Sequence, residues 1–214
     1  MRHVLVYGDS LSWGILPNTR IRLPFEERWP GILEALLNEG PGEMVRVVED
    51  CLNGRRTVWE DPFKVGRDGF VGLAQRMEVN SPLALVIVML GINDFQFCHP
   101  QNNAWSAAQG VARLVKAMRE APIEPGMAVP PVLVVCPPRP GEARGSMTEK
   151  FAGAKERSVG LAEAYRRMAE EMGCGFFDAG SVVRVSELDG VHLDAEEHPK
   201  LAEGLVGVVA GMLK

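Results

Sequence analysis

The chain has 214 residues, room for one medium domain with a full core, and its 46% hydrophobic and 24% charged content is that of an ordinary globular protein. A net charge of −5, with Arg55-Arg56 as the densest basic spot, excludes a nucleic-acid footprint. The longest apolar run, Leu83 to Leu90, falls far short of the ~20 residues of a membrane helix, and Asp9 interrupts the N-terminal apolar stretch too early for a secretory signal. A cytoplasmic protein with neither a nucleic-acid nor a membrane partner is expected.

Short apolar runs alternate with amphipathic stretches. Val4–Tyr7 reads as a strand, and Trp29, Ile32, Leu33, Leu36 and Leu37 follow helical spacing. Met44–Val48 is a second strand. Leu83–Met89 is a third, without alternation, so both its faces should be covered. Ala104, Ala108, Val111, Leu114, Val115 and Met118 mark a helix, and Val132–Cys136 is a strand fenced by prolines. Leu161, Ala164, Tyr165, Met168 and Met172 mark another helix, Gly175–Asp178 a short strand, and Leu201, Leu205, Val208, Val209 and Met212 a closing helix. Strands alternating with helices predict a parallel sheet of about five strands in a three-layer α/β/α sandwich. With no linker or repeat, residues 1–214 read as a single domain.

Two segments, Ile15–Glu27 and Asp61–Gly69, carry Pro, Gly and mixed charge and follow strands. They belong at the carboxyl edge of the sheet, as solvated connections, lids or subunit contacts. Cys51, Cys98, Cys136 and Cys174 lack any metal-type spacing and read as reduced thiols.

Four short motifs fall at strand ends or on the loop that returns to them. Gly8-Asp9-Ser10-Leu11-Ser12 follows the first strand. A serine there can project its hydroxyl into the crevice, with its N–H near a helix N-terminus; a plain N-cap by Asp9 or Ser10 fits equally. Asn53-Gly54 follows the second strand, either as a simple turn or as an exposed N–H donor. Gly91-Ile92-Asn93-Asp94 follows the third, and the Asn93 amide suits either an oxyanion or a local cap. In Asp189-Gly190-Val191-His192, an Asp three residues before a His can bond one imidazole nitrogen and leave the other facing a nucleophile. The set together contains the parts of an acyl-transfer site.

In these four blocks, running from residue 8 to residue 192, the sequence resembles the SGNH, or GDSL, hydrolases. The resemblance implies a flavodoxin-like fold, with Ser10 as nucleophile, His192 as general base and then acid, and Asp189 as its orienter. It implies an oxyanion hole from the Ser10 N–H, the Gly54 N–H and the Asn93 side chain, with Asp9 and Asp94 as structural supports. Ser10-Leu11-Ser12-Trp13-Gly14, Val86–Gly91, Val135-Cys136-Pro137-Pro138 and Phe177–Ser181 look like the bacterial arylesterase/acyltransferase branch. That likeness implies short-chain or aryl esters as substrates, acyl transfer beside hydrolysis, no metal or organic cofactor, and a homo-oligomer that buries the entrance. It puts Trp13 and Ile15 on the wall of a small acyl pocket, against plain core packing for Trp13. A carbohydrate O-deacetylase of the same fold and a non-catalytic flavodoxin-like binding protein are the rivals. Neither a Gly-x-Ser-x-Gly elbow nor a His-Glu-x-x-His zinc motif, a GxGxxG or a P-loop is present. His3, His99 and His198 receive no catalytic role; His99 is a candidate for the entrance.

Overall fold

The computed structural model describes all 214 residues, Met1–Lys214. Its strands are β1 Arg2–Gly8, β2 Val45–Cys51, β3 Leu85–Met89 and β4 Val132–Cys136, all rich in Val, Leu or Ile, and the short β5 Gly175–Asp178, built on Phe176 and Phe177. Every residue of β3 and β4 is buried, which explains why neither run alternates in polarity. The strands pair in the order β2-β1-β3-β4-β5, all parallel. Parallel neighbours cannot be joined by hairpins, so helices carry the connections.

The helices are α1 Ser10–Trp13, α2 Trp29–Leu37, α3 Leu73–Asn80, α4 Ala104–Arg119, α5 Ala154–Arg157, α6 Leu161–Glu171 and α7 Glu197–Met212. α2 packs on α7 as one layer, while α3, α4 and α6 pack in series as the other. The arrangement is the three-layer sandwich with the flavodoxin strand order. α4 shows how the sequence specifies such a helix. Ala104, Ala107, Ala108, Val111, Leu114, Val115 and Met118 bury one stripe, and Asn103 and Ser106 close a reciprocal capping box. α3 lacks a sequence signal of this kind, because only Leu73 and Met77 are buried along it.

The order β2-β1-β3 reverses the direction of winding at β1. Gly8 is in register with Cys51 on one side and Met89 on the other, so the turns leaving β1, β2 and β3 open side by side. Ligands bind in this crevice in open α/β sheets. No helix is long and apolar enough to cross a membrane, and all four cysteines are free thiols.

His198 joins the two helices of one layer. It is buried in the first turn of α7, where its Nδ1 accepts the Trp29 N–H at 3.2 Å. That N–H opens α2 and has no partner within the helix; Pro30, next in line, has none to satisfy. An imidazole accepting at Nδ1 is neutral, and burial, followed by the nearby Arg28 cation, pushes His198 down to about 4 from its ordinary 6.5, against Glu197. The sign follows from linkage. A depressed value contributes stability that is present above pH 6.5 and lost as pH falls through about 4, because the unfolded chain takes up the proton first. Denaturant titrations between pH 7 and 4 should show wild type losing roughly 3 kcal/mol more than His198→Asn. Parallel profiles for the two proteins would mean that His198 is not held neutral.

Candidate active site

Asp9 follows β1 directly and caps α1. One carboxylate oxygen accepts the Leu11 N–H at 2.9 Å, the other the Asn93 Nδ2 at 3.0 Å. Fully enclosed, its carboxyl is pushed up to about 6 by burial, against the Leu11 N–H, His192, Asn93 and Arg55. Ser10, at the first helical position of α1, carries an N–H that the helix cannot satisfy. Gly14 closes the short helix in the left-handed region, φ 79°, and the chain turns away through Ile15.

The turn after β2 holds Gly54 at φ 82°, a conformation that favours glycine. Its N–H donates to no protein acceptor, and the space beside its Cα is open to 4.0 Å. Arg55 and Arg56, the densest basic spot of the sequence, are both buried. Arg55 lies over the Tyr7 ring and bonds the Gly8 and Asp50 carbonyls and the Asp50 carboxylate. Arg56 bonds Gln96 and the Glu60 carbonyl and pairs with Asp61 at 3.2 Å.

After β3 the chain enters a 3-10 turn, Ile92–Phe95. Asn93 donates to Asp9 and to the Arg55 carbonyl at 3.1 Å, and its own carbonyl accepts from Gln96. Both amide hydrogens are therefore engaged. Asp94 accepts the backbone N–H and the hydroxyl of Thr57. Burial raises its carboxyl to about 7, against those two bonds. Asp9 and Asp94 thus brace the motif turns through hydrogen bonds.

The fourth block makes a closed unit. Asp189 Oδ2 meets His192 Nδ1 at 2.7 Å, while Oδ1 accepts the N–H groups of Val191 and His192, each at 2.9 Å. Burial works against the ionised carboxylate, but the imidazole and the two N–H donors outweigh it, holding Asp189 below the usual range. The ring is fixed through Nδ1, and Nε2 is left for other chemistry.

Ser10, Gly54, Asn93, Asp189 and His192 all line one cavity of about 410 Å³ at the β1/β3 crevice. Ser10 and His192 face it without a hydrogen bond between them; such contacts often tighten only with substrate bound. Ile15 is part of the wall. Trp13 is not: it lies half-buried beneath the Arg22 guanidinium, 4.7 Å from the ring centre, and its carbonyl accepts from Arg22. The helical turn that aims Ser10 inward carries Trp13 away. His99 stays outside the cavity, its ring tilted by 40° against that of Trp59, and touches the Glu60 carbonyl. No group of three or more His, Cys, Asp or Glu converges as a metal site.

The profile of the GDSL-like lipase/acylhydrolase family matches residues 6–202. The chain belongs to that family. Among solved structures, a carbohydrate acetylesterase family member from Sinorhizobium meliloti is 39% identical, with a TM-score of 0.92, over 100% of this chain and 99% of that one. The aryl esterase of M. smegmatis is 30% identical, with a TM-score of 0.91, over 99% and 100%. No curated protein sequence matches the chain.

Against that family frame, the segment the sequence did not single out is Ser146–Phe151. Ser146, Met147, Lys150 and Phe151 line the cavity together with Asn18, Thr19, Arg20, Asp61 and Lys64. Its only sequence cue is position, since it follows β4 past a Pro- and Gly-rich stretch. The two irregular segments named from the sequence do wall the site, and Asn18 ties the first to the Leu188 carbonyl beside Asp189.

Gly91 shows how tightly the GDSL-family floor is built. Its φ is 120°, and a Cβ there would sit 1.9 Å from the Tyr165 hydroxyl, which donates to the Leu90 carbonyl. Gly91→Ala should cost roughly 2–5 kcal/mol in denaturant titration. Adding Tyr165→Phe should return part of that cost, measurable as a coupling energy. Additive losses would show that the clash is not the cause.

Proposed function

We propose that this chain is a serine esterase of short-chain acyl or aryl esters that works through an acyl-enzyme on Ser10. Its class, a carboxylic ester hydrolase, follows from the family. The observation that carries the residue assignment is the Asp189–His192 pair opening, with Ser10, Gly54 and Asn93, onto one cavity. In this reading His192 Nε2 takes the Ser10 proton as the oxygen attacks the ester carbonyl. The oxyanion is met by the N–H groups of Ser10 and Gly54 and by the Asn93 amide, which must trade its bond to Asp9 or Arg55 for it. His192 then gives the proton to the leaving alcohol. Water attacks the acyl-enzyme, its proton passes to His192, and the acid leaves as Ser10 recovers its hydrogen. An alcohol or peroxide in place of water makes the same step an acyl transfer or a perhydrolysis.

A carbohydrate acetylesterase is the second reading, favoured by the polar lining. Of the lining residues only Ile15, Met147 and Phe151 are apolar, which suits a hydroxyl-rich leaving group better than a long acyl chain. We further propose a cytoplasmic protein, in keeping with four free thiols. A homo-oligomer is also part of the proposal, because Phe63 and Val65, 78% and 83% exposed, flank the cavity residue Lys64. Light scattering should give a mass above the monomer's 23.4 kDa, and Phe63→Ser/Val65→Ser should lower it; a monomeric wild type rejects the assembly.

Kinetics test the chemistry. With p-nitrophenyl acetate, butyrate and octanoate, acetate should turn over fastest. Ser10→Ala and His192→Ala should lose about 10³-fold or more in kcat, and Asn93→Ala about 10²–10³-fold. Full activity in Ser10→Ala would refute the mechanism, while a preference for octanoate would refute only the small acyl site.

A further inference from the structure

We propose that the rim of this cavity selects esters whose leaving alcohol carries a carboxylate, with Arg20, Lys64 and Lys150 as the specificity-determining cations. The proposal rests on the serine-esterase reading and names its substrate class.

The three cations come from three separate loops and line the same space. None of them takes part in a salt bridge or donates a side-chain hydrogen bond within the chain. The carboxylates that line the cavity are already engaged, Asp61 by the buried Arg56 behind it and Asp189 by His192. A protein of net charge −5 therefore presents uncompensated positive charge at this one opening. The cations also press on one another. Burial, then Arg67 and Arg20, lowers the Lys64 ammonium, against Asp61; burial lowers Lys150 as well, with Asp61 opposing and Lys64 and Arg56 adding. Like charges gathered where solvent is partly excluded are costly unless an anion joins them.

Their placement selects the end of the substrate. Ser10, Asn93 and His192 are buried at the floor, where the serine-esterase reading puts the ester carbonyl, whereas Arg20 and Lys64 are exposed. The alcohol departs toward solvent past them, and half-buried Lys150 stands between floor and rim.

The test compares 4-acetoxybenzoate with 4-acetoxybenzamide, which differ by one charge, each kcat/KM being divided by the substrate's own hydroxide-catalysed rate. Wild type should favour the carboxylate about tenfold at low salt, since exposed charge pairs each add modestly. The preference should shrink toward parity near ~1 M salt. Arg20→Glu/Lys64→Glu, at exposed positions, should invert it, and Lys150→Gln should reduce it. Parity in wild type at low salt, or a preference that the double reversal leaves intact, overturns the proposal, while Ser10-dependent hydrolysis of the acetate ester of 4-acetoxybenzamide keeps the esterase. Cleavage of neither ester, with no fluorophosphonate labelling that Ser10→Ala removes, overturns the esterase reading and the selectivity with it.

Discussion

The Asn93 amide donates at once to Asp9, at the end of β1, and to the Arg55 carbonyl, after β2, while itself following β3. Three strands thus end in one hydrogen-bonded floor. A parallel ladder stops at these ends and leaves polar backbone and side chains facing the crevice, and burying them unpaired would be costly. The chain satisfies them with one another. Arg55 bonds back to Gly8 and Asp50, and Asp94 holds Thr57. The result is a floor held in place before any substrate arrives: the Gly54 N–H is already free, and the Asn93 amide need only exchange one of its two bonds.

The same enclosure sets the ionisation of the floor. Burial raises Asp9 to about 6 and Asp94 to about 7. A raised carboxyl contributes stability below its ordinary value and loses it as pH rises through the folded one. Asp189 goes the other way, because His192 and two N–H donors outweigh its burial, so its contribution is present above the ordinary carboxylate value and lost as pH falls. All three carboxyls of the motif blocks accept hydrogen bonds, but only at Asp189, where the donors include the His192 imidazole, do they outweigh burial; at Asp9 and Asp94 burial wins.

The strands and the amphipathic helices were legible because their signals are local: the unbroken runs of β3 and β4, the stripe along α4. The motif residues were legible because a parallel sheet delivers them to one edge. Other features come from distant parts of the chain. Arg55 and Arg56 stood out in the sequence only as its densest basic spot; both are buried braces whose partners include Gln96 and Asp61. His198 read as an unassigned histidine beside a proline, and its role depends on a helix more than 160 residues away. Trp13 sits in the right turn for a pocket wall, but the sequence does not show that Arg22 would cover it.

Floor and rim therefore follow different physical rules. The floor is bound by reciprocal hydrogen bonds between adjacent strand ends, so a change at Asp9, Asn93 or Asp94 removes a partner from a buried group and costs more than its own contact. The rim is made by loops whose cations have no partner to lose, so their substitution changes the field at the opening more than the fold beneath it. A family that keeps the first and varies the second can hold one acyl chemistry while changing which alcohol leaves. In this chain the rim carries the positive charge, and a polar leaving group is where that charge would be felt.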